Sequence, residues 1–136
     1  MSDPDFHRQW ADFYEDVDDV AVSLGLEPVS ADDEHVHLRM PLRPPIRQIA
    51  GMFSAASLFG LADVCATWLA MRHVPQGQFP LLVQSSTNLI ANASEGHAHA
   101  VATLVKAGRT LVVAQVRVSD DTDRVLAVVT NTMVPR

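Results

Sequence analysis

The sequence predicts an α+β domain in which one curved antiparallel sheet wraps a long central helix. Three observations carry that prediction. The stretch from Phe53 to Arg72 is apolar on nearly every side, which means burial all round. Four segments rich in Val, Thr, Leu and Ala follow it, separated by short polar turns. The order contains neither the strand–helix–strand alternation of a parallel sheet nor an internal repeat.

A chain of 136 residues fits one domain, residues 1–136. Hydrophobic residues at 48 % and charged residues at 19 % supply a core and exclude a disordered chain. The one cysteine, Cys65, excludes an internal disulfide and a cysteine-based zinc site. A reducing, cytoplasmic setting is expected. No basic segment followed by an apolar one opens the chain, so no secretory signal is expected.

Charge is uneven. Residues 1–34 hold 11 of the 16 acidic residues against a single base, Arg8, whereas residues 35–136 hold nine bases against five acids. Without a run of Lys or Arg, a nucleic-acid partner is not expected, because binding to the phosphate backbone rests on clustered cations. A small polyanion, such as a nucleotide-bearing molecule, remains compatible.

Ser2, Asp3 and Pro4 read as a helix start, with a side-chain cap and an early proline. Phe6, Trp10, Phe13, Val17, Val20 and Leu24 recur at spacings of three and four, and Gly25 is a natural stop. The spacing predicts one amphipathic helix over residues 1–25 with an acidic solvated face. Trp10, Phe13 and Tyr14 on it either pack as core or cap a pocket. One or two strands come next: Val36, Leu38 and Met40 alternate with His35, His37 and Arg39 until Pro41.

The central helix is predicted over residues 53–72. Met52 to Met71 is 20 residues long with Asp63 as its only charge, so a membrane span has to be weighed. A mid-span Asp costs about 2.5–3.5 kcal/mol, and small residues and flanking strands fit a helix wrapped by a sheet better. No membrane association is expected. Leu81–Leu89, His97–Lys106, Thr110–Val118 and Val125–Met133 then read as four strands joined by consecutive hairpins.

Asp63 is the first candidate for chemistry, because a carboxylate in a dry helix needs a partner, a cavity or an interface. Ala56, Gly60, Asp63, Thr67 and Ala70 share one stripe and would leave an open channel beside it. The start of the helix, around Ser54, Ala55 and Ala56, is the second. First-turn N–H groups lack intrahelical acceptors and can polarise a carbonyl, although Ser54 also suits a plain cap. From there to Asp63 is roughly 11–12 Å of helix rise. A carbonyl held at one point is out of reach of the other, so a site shared between two subunits is the better geometry.

The stretch from Arg47 and Gln48 through Ser54, Ala55, Ala56 and Gly60 to Leu61-Ala62-Asp63 resembles the signature of hot-dog-fold acyl-CoA thioesterases of the phenylacetate-degradation (PaaI) type. There an Asn or Gln precedes His-Gly-Gly at the start of the central helix, and Leu-Ala-Asp or Leu-Ala-Glu follows. Lys106-Ala107-Gly108-Arg109-Thr110-Leu111 is similar to a hairpin of the same family. The resemblance covers roughly residues 35–135 and implies a hot-dog fold, with the N-terminal helix as an addition.

By this resemblance Asp63 is the general base or nucleophile toward a thioester. Gln48 orients the water or the carbonyl, the Ala55 N–H polarises that carbonyl, and Thr67 places the water. The resemblance also implies a homodimer, or a tetramer of dimers, whose subunits share each site. The implied reaction is hydrolysis of an acyl-CoA thioester to acid and CoA, with CoA as part of the substrate and no further cofactor. Ser54-Ala55-Ala56 departs from His-Gly-Gly: an active-site side chain is lost and the channel narrows, while the backbone N–H groups survive. That departure leaves open a second reading, a module of the same fold that binds an acyl-CoA or another apolar ligand without turnover. A third is that Asp63 only fixes a subunit interface.

Lys106, Arg109, Arg47 and Arg43 are candidates for the CoA phosphates, which Arg recognises well. His35 with His37, and His97 with His99, have a spacing that can bind metal. Outward-facing polar positions on a strand account for both pairs, so no metal is expected. Cys65 reads as a core residue.

Overall fold

The computed structural model describes residues 2–136; Met1, within the predicted first helix, lies outside them. The predicted helix over 1–25 is instead two. The first, α1 (Phe6–Phe13), buries Phe6 and Trp10. Asp16 then takes a φ of 54°, the left-handed region that Asp tolerates better than most residues. A short second helix, α2 (Val20–Ser23), follows, capped by the Asp19 carboxylate accepting from the Ala21 N–H at 2.8 Å. The apolar spacing runs on across the break, so periodicity alone reads one helix where Asp16 and Asp19 make two. Gly25, with a φ of 70°, turns the chain after α2.

Six strands form one antiparallel sheet: β1 (Glu27–Ala31), β2 (His35–Pro41), β3 (Pro80–Leu89), β4 (His97–Ala107), β5 (Val112–Ser119) and β6 (Val125–Pro135). Their order is β1-β2-β4-β5-β6-β3. The strands expected from alternation fall close to their predicted bounds, and β1 is added at one edge, where its Pro28 is tolerated. The expected run of consecutive hairpins holds only for β4, β5 and β6. A strand has two edges, and those of β4 are taken by β2 and β5, so β3 crosses the molecule to pair with β6. Ile90 and Ala91, just after β3, still donate to the Leu126 carbonyl of that partner region.

The central helix α3 (Ala55–Ala70) starts two residues after the predicted start and ends two before the predicted end. Ser54 stops it from starting earlier: its Oγ accepts from the Ser57 N–H at 3.1 Å, and the Ser57 hydroxyl donates to the Ser54 carbonyl at 2.8 Å. Leu58, Leu61, Ala62, Cys65, Ala66 and Leu69 are buried on the concave face of the sheet. There Ala98, Ala100, Ala102 and Ala114 are fully buried, and their small side chains let the helix lie close. The Cys65 Sγ donates to the Val36 carbonyl at 3.2 Å, and burial pushes its thiol up to about 12. Cys65 is a core residue, as expected. Among the described residues no helix is long and apolar enough to cross a membrane.

Candidate active site

The predicted site residues fall into two groups at different points of α3. The first gathers at its N-terminus. Arg47 and Phe53 pair as an isolated antiparallel bridge, closing a tight loop in which the Gln48 N–H donates to the Met52 carbonyl at 2.8 Å. The Gln48 side-chain oxygen accepts from the Ala50 N–H, which fixes its carboxamide within the loop. The Ser54 N–H donates to the Ile46 carbonyl at 3.0 Å and anchors the loop to the helix start. With the Ser54 hydroxyl serving as cap, Ala55 and Ala56 are exposed in the first turn. Their N–H groups have no intrahelical acceptor and sit at the positive end of the helix dipole.

The second group is Asp63 and Thr67, one turn apart on the wall of a cavity of about 200 Å³. Trp68 of α3, Met71 just after it, and Phe79, just before β3, also line it. The roof is the N-terminal segment, through Phe13, Tyr14, Asp19 and Val20. The acidic first segment therefore covers the one carboxylate of the central helix. Trp10 packs as core against Trp68, with ring centroids 5.1 Å apart, while Phe13 and Tyr14 stand at the cavity.

Asp63 is half-buried, and that burial raises its carboxyl above the usual carboxylate range. Among the described residues its carboxylate has no hydrogen bond or ion pair, and no Lys or Arg lines the cavity. A carboxylate in this state is more basic than one in water, which suits proton abstraction.

The expected open channel along the small-residue stripe is interrupted. Gly60 is packed by the Leu24 side chain, which a Cβ there would overlap, and Ala70 is fully buried. Only the segment at Asp63 and Thr67 opens to the cavity. Eight residues of helix, roughly 12 Å, separate Ala55 from Asp63. Within one chain the two groups therefore stand apart along α3.

The predicted cations are also spread out. Lys106 and Arg109 are exposed around the β4–β5 turn, whereas Arg47 is exposed in the loop that leaves β2 at the opposite end of β4. Arg43 points elsewhere: its guanidinium donates to the Ser23 carbonyl at 2.7 Å and fills the space left by Gly25.

The sequence profile of the Thioesterase superfamily matches residues 50–127, more than half of the chain and all of α3. No curated protein matches the sequence. Among solved structures, a thioesterase from Pseudomonas aeruginosa, crystallised as a mutant, is similar with a TM-score of 0.87 at 21% identity, over 95% of this chain and 92% of that one. A thioesterase from Haemophilus influenzae gives 0.88 at 16% identity, over 96% and 90%. The PaaI protein of the E. coli phenylacetic acid degradation operon gives 0.83 at 17% identity, over 96% and 93%. These likenesses, with the curved six-stranded sheet around α3, make the fold a hot-dog fold. The profile match makes the family plain: the chain belongs to the Thioesterase superfamily.

Proposed function

We propose that the protein hydrolyses an acyl-CoA thioester to the free acid and CoA, with Asp63 of one copy and the Ala55 N–H of a second copy acting on one substrate. The observation that carries this reading is the Asp63 carboxylate, half-buried, unpartnered among the described residues and facing a cavity with mostly apolar walls. The acyl group lies against Phe13, Trp68 and Met71. Its carbonyl accepts from the Ala55 N–H at the start of the other helix, beside Gln48 and Ser54. Thr67 holds water next to Asp63.

In the water-mediated route Asp63 takes a proton from that water as the oxygen attacks the carbonyl carbon. The N–H of Ala55 stabilises the oxyanion, the carbon–sulfur bond breaks, and the proton passes from Asp63 to the departing thiolate. In the covalent route Asp63 attacks directly, releases CoA and forms an anhydride that water cleaves. No cofactor is required in either. Arg47 and the Lys106–Arg109 turn lie at opposite ends of β4, so they meet one CoA only if different copies supply them.

The exposed edge of β3 supports a homodimer, alone or within a tetramer. Among the described residues this strand pairs only with β6, yet Leu81 and Val83 are 49% and 53% exposed. Unpaired apolar edges are normally covered. The reading of a binding module without turnover is favoured by one observation: the Ser54 hydroxyl is occupied as a cap, so the helix start offers no free side chain to replace the family's His. Thiol release from short, medium, long-chain and aromatic acyl-CoAs, with wild type and Asp63→Asn in parallel, separates the two. Turnover by wild type alone supports hydrolysis. Ligand binding without any turnover supports the module.

A further inference from the structure

On the convex face of the sheet, away from the Asp63 cavity, two histidines of β4 meet an acidic residue that sequence spacing did not place beside them. His97 and His99 alternate with the fully buried Ala98 and Ala100, so their rings share the outer face. The β5–β6 turn folds back over them and brings Asp121, 22 residues after His99. The His99 Nε2 lies 2.7 Å from Asp121 Oδ1, and the His97 Nδ1 lies 3.3 Å from Asp121 Oδ2. One ligand atom from each of the three residues lies within 4.8 Å of the other two. Ligand atoms around a tetrahedral zinc ion at bond lengths of 2.0–2.2 Å stand about 3.3 Å apart, so only small side-chain adjustments separate this cluster from a coordination shell.

We propose that His97, His99 and Asp121 bind a divalent transition-metal ion of the zinc class, with water completing its coordination. Two imidazoles and one carboxylate are the donor set that late first-row divalent ions favour. A fourth side chain supports the arrangement. His37 of β2 places its Nε2 3.1 Å from the His99 Nδ1. A metal on the Nε2 of His99 leaves the proton of that ring on Nδ1, where His37 accepts it; such partners orient metal-binding histidines.

The carboxylate is held in place before any ion arrives. Its Oδ2 accepts from the backbone N–H of His97 at 3.0 Å. Gly96, at a φ of 77°, leaves the space it occupies, which a Cβ would fill. The nearby cations are engaged elsewhere. Arg39 pairs with Glu27 at 2.6 Å, Arg117 with Asp123 at 2.9 Å, and Arg124 with the Asn92 carbonyl. Asp121 therefore faces imidazoles rather than a guanidinium.

The test is a titration of tag-free, chelator-treated full chain with Zn²⁺ in competition with a chromophoric chelator. The expected result is one ion per chain, with affinity at least tenfold weaker in His99→Ala and in Asp121→Asn, and unchanged in His35→Ala on the same face. Co²⁺ bound to wild type should give the visible bands of a four- or five-coordinate nitrogen–oxygen site, a readout that needs no variant to fold. Stoichiometry well below one, wild-type affinity in the Asp121→Asn or His99→Ala chain, or a Co²⁺ spectrum like that of the free aquo ion would each overturn the proposal.

Discussion

The indole Nε1 of Trp68 donates to the Tyr14 hydroxyl at 3.0 Å, joining the N-terminal segment to the central helix beside Thr67. Both rings border the Asp63 cavity. Replacing Tyr14 with Phe keeps the ring packing and leaves a largely buried N–H without an acceptor. Tyr14→Phe should lower stability by about 1 kcal/mol in denaturant unfolding and alter tryptophan fluorescence. An unchanged midpoint would mean that ring packing alone holds the segment over the cavity.

Asp63 should cost stability where it is ionised. Its carboxyl is raised by burial in the folded chain, so the folded state keeps the proton to higher pH than the unfolded one. The stability associated with the protonated form is complete below the ordinary carboxylate value. It declines as pH rises from that value through the folded one. Asp63→Asn should therefore melt higher than wild type at pH 7, and the gap should close below about pH 4. Its turnover should fall by about 10²–10⁴-fold, the usual contribution of a general base. A lower melting temperature at pH 7 would instead give Asp63 a stabilising partner at a subunit interface.

The β3 edge should carry the association of two copies. Leu81, Val83 and Leu89 are all about half exposed on a strand that has one neighbour. The double substitution Leu81→Lys and Val83→Lys should shift the protein to monomer in light scattering while leaving the circular dichroism of the fold in place. If the half-sites belong to different copies, thiol release should vanish with the dimer. A fully active monomer would place both half-sites in one chain.

Much of this architecture is legible in local sequence because its signals are local. The all-round apolarity of the central helix, the alternation around Val36, Leu38 and Met40, and the cap at Ser54 each act within a few residues. What stayed hidden depends on longer range. The neighbour of β3 is decided by competition for the edges of β4, which no window along the chain contains. β1 carries Pro28, a register shift and no clean alternation, so its pattern leaves open whether one strand or two precede the central helix. The break at Asp16 leaves the apolar spacing intact on both sides. At the site, sequence placed Asp63, Thr67 and the helix start on the right elements. The roof of Phe13, Tyr14 and Val20, and the arrival of Asp121 beside His97 and His99, are tertiary contacts without a spacing signal.

The most direct test of a site divided between two copies mixes two inactive chains. Ala55 is the first residue of α3 after an extended Ser54, a position where proline fits and removes little besides the N–H. Ala55→Pro should thus delete the oxyanion donor and leave the fold, cutting turnover by about 10²–10³-fold. Mixed after unfolding and refolding with Asp63→Asn, on a thioester that wild type cleaves, it should restore about a quarter of wild-type activity, because half of random two-fold dimers then hold one intact site of two. No recovery from two folded, dimeric chains would contradict a site shared across the interface.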